Sequence, residues 1–468
     1  LSIMKKIAII GSGPAGITAA YELSKEIGER ISSIDVYESA DQIGGMSASN
    51  EFWNQYVDLG PHRFFSFDEK VNNIWLEIAG DNHSPVTRLT RIFYGGKLYH
   101  YPLKAFNALF TMGFFKSMGA LFSYFKQKIF PVKDISTFEG WVTRRFGRKL
   151  YEMFFKTYSE KLWGISCNEL DADFASQRIK KLSLGAAVWN SLFPGKNKHK
   201  TLAEEFLYPL QGTGYIYEEM ARRAQKMGAK IHLNTPVSKV IKENGKATGI
   251  ITESGIEEKY DAVISTMPVS LLLEGMNDVP AQILDLSAQL KFRNTILVYI
   301  NVDGQNLFPD QWMYIHSKEL QTGRITNFRN WVPDLYGQEK SSIIALEYWC
   351  FDEDEIWKKS DQELISLASQ EIQKSGLIGK CPILDGKVVR LHRSYPVYFK
   401  NYRNILEPIE NYLKTIEDLY PIGRYGAYKY NNQDHSILMG VLAAENITGK
   451  GSHDLWTINT DYDNYQEG

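Results

Sequence analysis

Cysteine is scarce in this sequence, and the few that occur are isolated. Cys167, Cys350 and Cys381 form neither a CxxC pair nor a group with the spacing of metal ligands. A disulfide framework and a zinc site are therefore not expected, and we predict that the protein holds no metal. Isolated cysteines fit a reducing compartment, so a cytoplasmic location is expected.

Net charge of either sign is also lacking. The 53 lysine and arginine residues nearly balance the 55 aspartate and glutamate residues, and the formal net charge is −2. Such a chain has no global field that would attract nucleic acid or an anionic membrane. We expect no nucleic-acid partner, and any anionic ligand must be held by a few local cations.

Long uninterrupted hydrophobic runs are absent as well. The phenylalanine-rich stretch from Phe106 to Phe130 is interrupted by Lys116, Lys126 and Lys128, and the segment before the first apolar run is too short for a signal peptide. We predict no stable membrane insertion. Apolar residues in this stretch recur at helical spacing, which predicts a pair of core-facing helices; helices lying on a membrane surface are the alternative.

The strongest motif that is present lies near the start of the chain. The apolar run Ile7 to Ile10 predicts a short strand, and the glycine-rich sequence Gly11-Ser12-Gly13-Pro14-Ala15-Gly16 follows it directly and opens a helical pattern that ends near Ile27. A second predicted strand, Ser33 to Tyr37, ends at Glu38. A GxGxxG pattern alone is weak, but this arrangement is typical of a dinucleotide-binding βαβ unit.

Each glycine of the GxGxxG pattern, and Glu38 after it, has a physical role in the predicted site. Gly11 permits the tight turn, Gly13 lets the backbone approach a pyrophosphate, and Gly16 lets the helix pack against the strand. Unpaired N–H groups at the helix N-terminus would face the phosphates. Glu38 would accept hydrogen bonds from the adenosine ribose. A purely structural glycine turn is the alternative.

The remaining chain predicts an α/β protein with insertions. The pattern from about Val86 to Leu184 predicts mainly helices, with few strand signals. Strand signals reappear between Lys230 and Thr266, which indicates that the chain returns to the nucleotide-binding sheet. We predict a Rossmann-type cofactor-binding domain with an inserted helical domain and a β-rich substrate-binding region. The predicted boundaries are 1–85, 201–275 and 386–468 for the three parts of the cofactor domain, 86–200 for the helical insertion, and 276–385 for the substrate-binding strands and helices.

A second glycine turn, Gly44-Gly45, follows Glu38 at the spacing typical of flavoproteins that resemble amine oxidases, and this resemblance implies FAD rather than NAD. Further along, Gly423-Arg424 precedes Asp434 and a helical run from His435 to Glu445, so a second helix N-terminus is expected at the cofactor. No second GxGxxG occurs, so a separate NAD(P)H domain is not expected.

Four segments resemble the UDP-galactopyranose mutase family, within the wider group of amine oxidase and protoporphyrinogen oxidase flavoproteins. They are Gly60-Pro61-His62-Arg63-Phe64-Phe65, Tyr158-Ser159-Glu160-Lys161-Leu162-Trp163-Gly164, Gly323-Arg324-Ile325-Thr326 and Gly423-Arg424-Tyr425-Gly426-Ala427-Tyr428-Lys429-Tyr430. Bacterial mutases usually carry a second histidine where this sequence has Phe65. The region around Gln211 also departs from the family pattern.

The resemblance implies a set of site residues. At the cofactor it places Gly11, Gly13, Gly16, Glu38, Gly44, Gly45, Gly60, Val237, Gly423 and Asp434. It implies catalytic roles for His62, Arg324, Arg424 and Tyr430, and substrate contacts for Trp163, Arg178, Arg324, Arg424 and Tyr430. The implied partner is a nucleotide sugar or another small molecule, and a homodimer is compatible with the sequence.

The resemblance implies that reduced flavin N5 acts as the nucleophile in interconverting the pyranose and furanose forms of a nucleotide sugar, as a step in glycan precursor biosynthesis. Arginines would then stabilise the departing diphosphate. No nucleophile-elbow or Cys/His signature is present. The first alternative is an FAD-dependent oxidase or desaturase that takes hydride from its substrate. The second is a non-catalytic scaffold stabilised by FAD.

Several of the arginine and tryptophan assignments have structural alternatives. Arg324 and Arg424 could form surface salt bridges instead of clamping a diphosphate. Arg178 stands beside two lysines on a helical pattern and could belong to a solvated basic face. Trp163 could stack on a base, or it could be a core residue that ends a helix before Gly164.

Four other residues also have two interpretations. His62 could tune the flavin or transfer a proton, or it could be satisfied by backbone groups. Tyr428 and Tyr430 alternate as on a strand, so only one faces the ligand, and the resemblance favours Tyr430. Asp434 could contact the cofactor and could also be a helix N-cap.

Overall fold

A computed structural model describes residues 4–101, 103, 105–179 and 205–459; of residues 105–107, 109 and 176–179 it describes only the backbone. The strands in these ranges are β1 Lys5–Ile10, β2 Ile31–Tyr37, β3 Ser49–Phe52, β4 Gln55–Asp58, β5 His83–Thr87, β6 Thr90–Tyr94, β7 Lys97–His100, β8 Glu205–Pro209, β9 Lys230–His232, β10 Val237–Glu243, β11 Lys246–Thr252, β12 Glu257–Lys259, β13 Ala262–Ser265, β14 Phe292–Val302, β15 Trp312–Ile315, β16 Arg324–Asn327, β17 Ser342–Cys350, β18 Ile383–Pro396 and β19 Leu419–Pro421.

The helices, numbered through the described ranges, are distributed over the whole chain. They are α1 Pro14–Ser24, α2 Glu69–Ala79, α3 Ala105–Met112, α4 Phe114–Ile129, α5 Phe138–Phe146, α6 Arg148–Tyr151, α7 Thr157–Trp163, α8 Ala172–Ile179, α9 Gly214–Lys226, α10 Val269–Glu274, α11 Ala281–Ser287, α12 Glu355–Lys358, α13 Asp361–Ser375, α14 Arg403–Lys414, α15 Gly423–Gly426 and α16 Gln433–Thr448.

The first layer of the fold is a five-stranded parallel sheet in the order β19-β13-β1-β2-β9. Its central strand β1 is an apolar run whose last four residues are buried, as expected for a strand covered on both faces. Helix α16 packs closely on α1, because Gly440 brings the two helix backbones together. The expected α/β architecture, with a Rossmann-type parallel sheet and a β-rich region, is confirmed.

The second layer is a seven-stranded mixed sheet in the order β18-β14-β17-β16-β15-β6-β7. Strand β14 is buried from Arg293 to Val302, because alternate residues enter separate apolar clusters on the two faces of the sheet. Leu297 and Tyr299 face one cluster, whereas Val298 and Ile300 face the other. This sheet carries Arg324 at the start of β16.

Two expectations about strands need correction. Strands β10 and β11 do not return to the nucleotide-binding sheet; with β12 they form a separate antiparallel sheet. Strands β6 and β7 lie inside the stretch expected to be mainly helical, and β6 joins the mixed sheet by parallel pairing with β15. Short polar-flanked strands gain their stability from partners that are remote in sequence, so local pattern underestimates them.

The phenylalanine-rich stretch forms the two expected helices, α3 and α4. On α3, Ala108 and Met112 are buried in the core, but on α4 the expectation that the apolar residues face the core is wrong. Phe110, Phe115 and Phe122 are 91%, 88% and 74% exposed. Helical periodicity shows which residues share a face, but not which way that face points. Here a face of small residues packs inward instead, because Ala120 is buried where α4 meets α5 and α6.

Within the described ranges, none of the helices combines the length and apolar character that crossing a bilayer requires. All three cysteines are free thiols; Cys167 and Cys350 are buried, and Cys381 is partly exposed. The same ranges contain no group of three histidine, cysteine, aspartate or glutamate side chains arranged to hold a metal ion.

Candidate functional site

The glycine turn after β1 is shaped by close contacts that exclude side chains. Gly11 has a φ of +98°, and a Cβ there would overlap the Thr266 side chain. A Cβ on Gly16 would overlap the carbonyl oxygen of Gly11. At Gly13, by contrast, a Cβ would meet only the Cα of Gly45, at 3.9 Å. Gly13 therefore leaves open space that a ligand, rather than protein, can fill.

The second glycine turn, Gly44-Gly45, closes against the first. Gly44 has a φ of +108°, and its N–H donates to the carbonyl of Ser12 at 3.0 Å. A Cβ on Gly45 would lie 3.1 Å from the Cα of Gly13. The two turns thus form one narrow backbone cradle, which suits a pyrophosphate better than a bulky group.

Glu38 is held at the end of β2 by a fixed set of donors. Its Oε2 accepts hydrogen bonds from the backbone N–H and the hydroxyl of Ser12, both at 2.7 Å. Its Oε1 accepts from the backbone N–H of Ala40 at 2.9 Å. These bonds orient the carboxylate at the cavity wall, where a ribose hydroxyl can reach its remaining lone pairs.

A single cavity of about 480 Å³ extends from these turns toward the mixed sheet. Two helix N-termini open into it: Gly13, Pro14 and Ala15 at the start of α1, and Asn432 and Asp434 at the start of α16. Convergent N-termini favour bound negative charge. Among the other expected residues, Gly11, Glu38, Gly45, His62, Val237, Arg324, Gly423, Arg424 and Tyr430 line the cavity.

The far end of the cavity contains two arginines in different electrostatic settings. Arg324 donates to Glu347 through Nε at 2.7 Å and through a terminal nitrogen at 2.5 Å. Burial alone would lower the pKa of the Arg324 guanidinium, but the adjacent Glu347 carboxylate outweighs it and holds the pKa above its ordinary value. Gly60, whose Cβ would lie 3.5 Å from Arg324, lets the chain pass close to this pair.

Arg424 forms no ion pair with a carboxylate in the described part of the chain. Its guanidinium carbon lies 4.9 Å from the centre of the Tyr395 ring and 4.6 Å from the centre of the Tyr430 ring. Its buried Nε has no hydrogen-bond partner. Aromatic faces stabilise a cation without using its N–H donors, so Arg424 keeps donors for a ligand.

Residues 14–447 match the family of flavin-containing amine oxidoreductases. The chain belongs to this family. FAD is therefore its cofactor, and the double glycine cradle, the two helix N-termini and Glu38 fit the pyrophosphate and ribose of that molecule.

Individual relatives within and around the family differ in chemistry. The coproporphyrinogen III oxidase of Staphylococcus aureus is 25% identical over 309 residues, which cover 59% of this chain and 63% of the oxidase. A probable UDP-galactopyranose mutase of Klebsiella pneumoniae is 27% identical over 202 residues, which cover 42% of this chain and 50% of the mutase. The chain thus spans about half to three fifths of the length of these curated relatives.

A crystal structure of reduced UDP-galactopyranose mutase superposes with a TM-score of 0.85 at 23% identity. The superposition covers 97% of this chain and 98% of the mutase chain. At this identity the likeness establishes the shared fold alone. The chain is thus a flavoenzyme-family protein whose reaction must be argued from its own site.

His62 faces this site as a neutral imidazole. Desolvation, reinforced by the positive charges of Arg324 and Arg424, lowers the pKa of His62 to about 3. Its Nδ1 is buried without a hydrogen-bond partner. In the protein alone, His62 is thus suited to donate or accept one hydrogen bond at the cavity, rather than to carry a positive charge near neutral pH.

The structure places Trp163 behind the cavity wall rather than on it. The side chain is fully buried at the end of α7, and its ring centre lies 5.8 Å from that of Tyr430 and 6.2 Å from that of Tyr395. Gly164 ends the helix with a φ of +67°. Trp163 therefore supports the two tyrosines that hold Arg424. The side chain of Arg178 lies outside the described residues.

Lys161, from the same segment Tyr158–Gly164, binds backbone groups of the protein rather than lining the cavity. Its ammonium group donates to the carbonyls of Ile315, Ser317, Leu320 and Thr322 at 2.7–3.1 Å. This residue ties α7 to the loop that leads into β16. Through these bonds Lys161 stabilises the loop that immediately precedes Arg324.

The segment that contains Tyr428 and Tyr430 is not a strand, although it was expected to be one. Tyr428 has a φ of +49°, and its hydroxyl donates to the backbone carbonyls of Lys291 and Val397. Tyr428 is completely buried, whereas Tyr430 lines the cavity. The N-cap of α16 is Asn432, and Asp434 lies inside the first turn, where it lines the cavity and its carboxylate lies 3.2 Å from Nδ1 of His435.

Sequence reasoning missed Glu347 and Tyr395. Glu347 is a charged residue inside the apolar run Ser342–Cys350, and such a residue is rarely buried without a partner. That signal was available in the sequence. Tyr395 lies in β18 without a local signal, and only the packing of β18 beside α15 brings it to Arg424.

Proposed function

We propose that this protein is an FAD-dependent nucleotide-sugar mutase that interconverts pyranose and furanose forms and serves glycan precursor biosynthesis. The observation that carries the proposal is Arg424: a cation packed against two mutually stacked tyrosine rings, with a buried Nε that has no partner, at the wall of the cavity. A diphosphate offers anionic oxygens that a guanidinium binds through charge-assisted hydrogen bonds.

The chemistry supplied by bound, reduced FAD is nucleophilic, through its N5 nitrogen. The protein's part is to bind and orient the substrate. Arg424 would hold the departing diphosphate, with Tyr395 and Tyr430 fixing the guanidinium in place. His62, which lines the cavity, would supply one hydrogen bond from its imidazole.

One observation favours a second function, a hydride-transferring oxidoreductase. Glu347 neutralises Arg324, so of the two expected arginines whose side chains the structure describes, Arg424 alone keeps an uncompensated charge. Phe65, Tyr101 and Tyr314 add aromatic surface to the same cavity. A less polar substrate could occupy such a site without a diphosphate.

The two functions differ in their use of electrons, and turnover under anaerobic conditions separates them. Dithionite-reduced protein is mixed with UDP-, GDP- and TDP-sugars, and ring-form isomers are resolved by chromatography and NMR. We expect isomerisation by the reduced protein only, with the flavin still reduced at the end. Substrate-dependent reduction of oxidised flavin, with stoichiometric peroxide in air, would assign the oxidoreductase function instead.

A further inference from the structure

An exposed apolar surface lies on α3, α4 and the residue that follows α4. It consists of Phe110, Phe114, Phe115, Met118, Phe122, Phe125, Ile129 and Phe130, and we call it the aromatic surface. These are eight of the fourteen large apolar side chains that are exposed in the described ranges. Monomeric proteins rarely expose contiguous apolar surface of this kind without an interaction partner.

The geometry of α4 makes this surface continuous. At about 100° per residue, the six exposed apolar residues of the helix, from Phe114 to Ile129, fall within an arc of about 100°. Lys126 and Lys128 lie just beyond the two edges of that arc. Apolar residues flanked by lysines are the pattern of helices that lie in a membrane interface.

The opposite side of α4 is already occupied by protein. The backbone N–H of Lys149 donates to the hydroxyl of Ser123 at 3.1 Å, and Gly147 closely approaches the backbone of Tyr124. Ala120 is buried on the same side. The helix is thus anchored by one face, so the aromatic surface cannot turn inward without breaking these contacts.

The charged side chains in the segment that carries the aromatic surface are all cationic. Residues 105–133 contain four lysines, Lys116, Lys126, Lys128 and Lys133, and no aspartate or glutamate. All four lysines are exposed. The whole chain carries a net charge of −2, so this cationic character is local to the segment that carries the aromatic surface, and Lys126 and Lys128 place part of it at the edges of that surface. It complements the anionic headgroups of a phospholipid leaflet.

We propose that the aromatic surface docks the protein on an anionic phospholipid membrane, with the phenylalanines in the interface and the lysines at the headgroups. A second copy of the chain fits this surface less well, because an isologous dimer would bring the two sets of lysines together. The inference does not depend on the proposed function.

Docking would hold the cavity near the lipid surface. Tyr101 lines the cavity, and α3 begins four residues later at Ala105. Because consecutive Cα atoms are about 3.8 Å apart, this start lies within about 15 Å of Tyr101. The segment that carries the aromatic surface therefore begins near the cavity.

The experiment is flotation of the flavin-loaded full chain with lipid vesicles. Vesicles of phosphatidylcholine alone are compared with an equimolar mixture of phosphatidylcholine and phosphatidylglycerol, at low and high salt. We expect flotation with the anionic vesicles, and weaker flotation with neutral vesicles or in high salt. Phe122→Ser/Phe125→Ser should lower the partition coefficient at least about tenfold, and Lys126→Gln/Lys128→Gln by about tenfold on anionic vesicles only.

The matched control is Ile256→Ser/Leu384→Ser, which replaces apolar residues of similar exposure outside the aromatic surface and should float like the wild type. Flavin content and thermal unfolding of every variant check the fold. The proposal is overturned if the wild type fails to float with anionic vesicles, or if the phenylalanine variant floats as well as the wild type. It is also overturned if light scattering shows a dimer that the phenylalanine variant converts to a monomer and vesicle binding is absent.

Discussion

Arg324 and Glu347 face each other across the antiparallel pair β16 and β17 and form an ion pair with two hydrogen bonds at the wall of the cavity. Glu347 is only 1% exposed. Because water hardly reaches its carboxylate, Arg324 is the group that compensates its charge. The arginine that the mutase resemblance assigns to the substrate is thus also a structural counter-ion. Its removal has consequences that the removal of Arg424 does not have.

We expect Arg324→Gln to lower the free energy of unfolding by about 3 kcal/mol or more, because it leaves a buried carboxylate without a counter-ion. Arg324→Gln/Glu347→Gln should regain most of that loss. Chemical denaturation of the single and double variants measures both values. Lys25→Gln, which removes an exposed pair with Glu22, should change stability by no more than about 0.5 kcal/mol. Equal stability of the Arg324 variant and the wild type would show that the pair is not buried as described.

If the proposed function holds, Arg424→Gln should weaken the binding of UDP by about 10–100-fold, since a charge-assisted hydrogen bond contributes about 1.5–3 kcal/mol. Isothermal titration of flavin-loaded protein measures the affinity, and flavin absorbance verifies that the cofactor is retained. Arg329 provides a matched control, because it also stacks on a tyrosine ring, at 3.9 Å from Tyr336, but does not line the cavity. Unchanged UDP affinity in the Arg424 variant would reassign this residue to structure.

Substitutions at two glycines of the first turn, Gly13 and Gly16, should separate cofactor binding from folding. Gly13→Val places its side chain in open space, so we expect a folded protein that is purified without flavin. Gly16→Val forces a side chain into the carbonyl oxygen of Gly11 and should lower stability by at least about 2 kcal/mol. Flavin absorbance and thermal unfolding report the two effects. Full flavin retention by Gly13→Val would contradict the cradle geometry.

His62 should make stability fall in acid. The folded imidazole has a pKa lowered from 6.5 to about 3, so the unfolded chain binds a proton first as the pH falls below about 6.5. The contribution of neutral His62 is therefore complete above that pH and is lost progressively toward pH 3, by about 1–2 kcal/mol at pH 5. The difference in unfolding free energy between wild type and His62→Asn, measured from pH 7 to pH 4, isolates this group from the others. A pH-independent difference would mean that His62 titrates normally.

The sequence predicted those parts of the site that are set by local backbone. Gly11, Gly13 and Gly16 follow one strand and open one helix, so their roles depend on neighbours within a few residues. The position of Arg424 could not be predicted in the same way, because Tyr395 reaches it from another element. Likewise, the phenylalanine periodicity of α4 predicted the helix, but the direction of its apolar face depends on α5 and α6.

The order of strands in the parallel sheet has a consequence for how the chain folds while it is being translated. Ile7 in β1 pairs with Ala262 in β13, and Val263 in turn pairs with Leu419 in β19. The cofactor site also includes the N-terminus of α16, which begins at Gln433. Residues as far as the start of α16 must therefore be synthesised before the complete cofactor site can form, and the N-terminal βα segment is made before its partner strand β13, which lies more than 250 residues downstream.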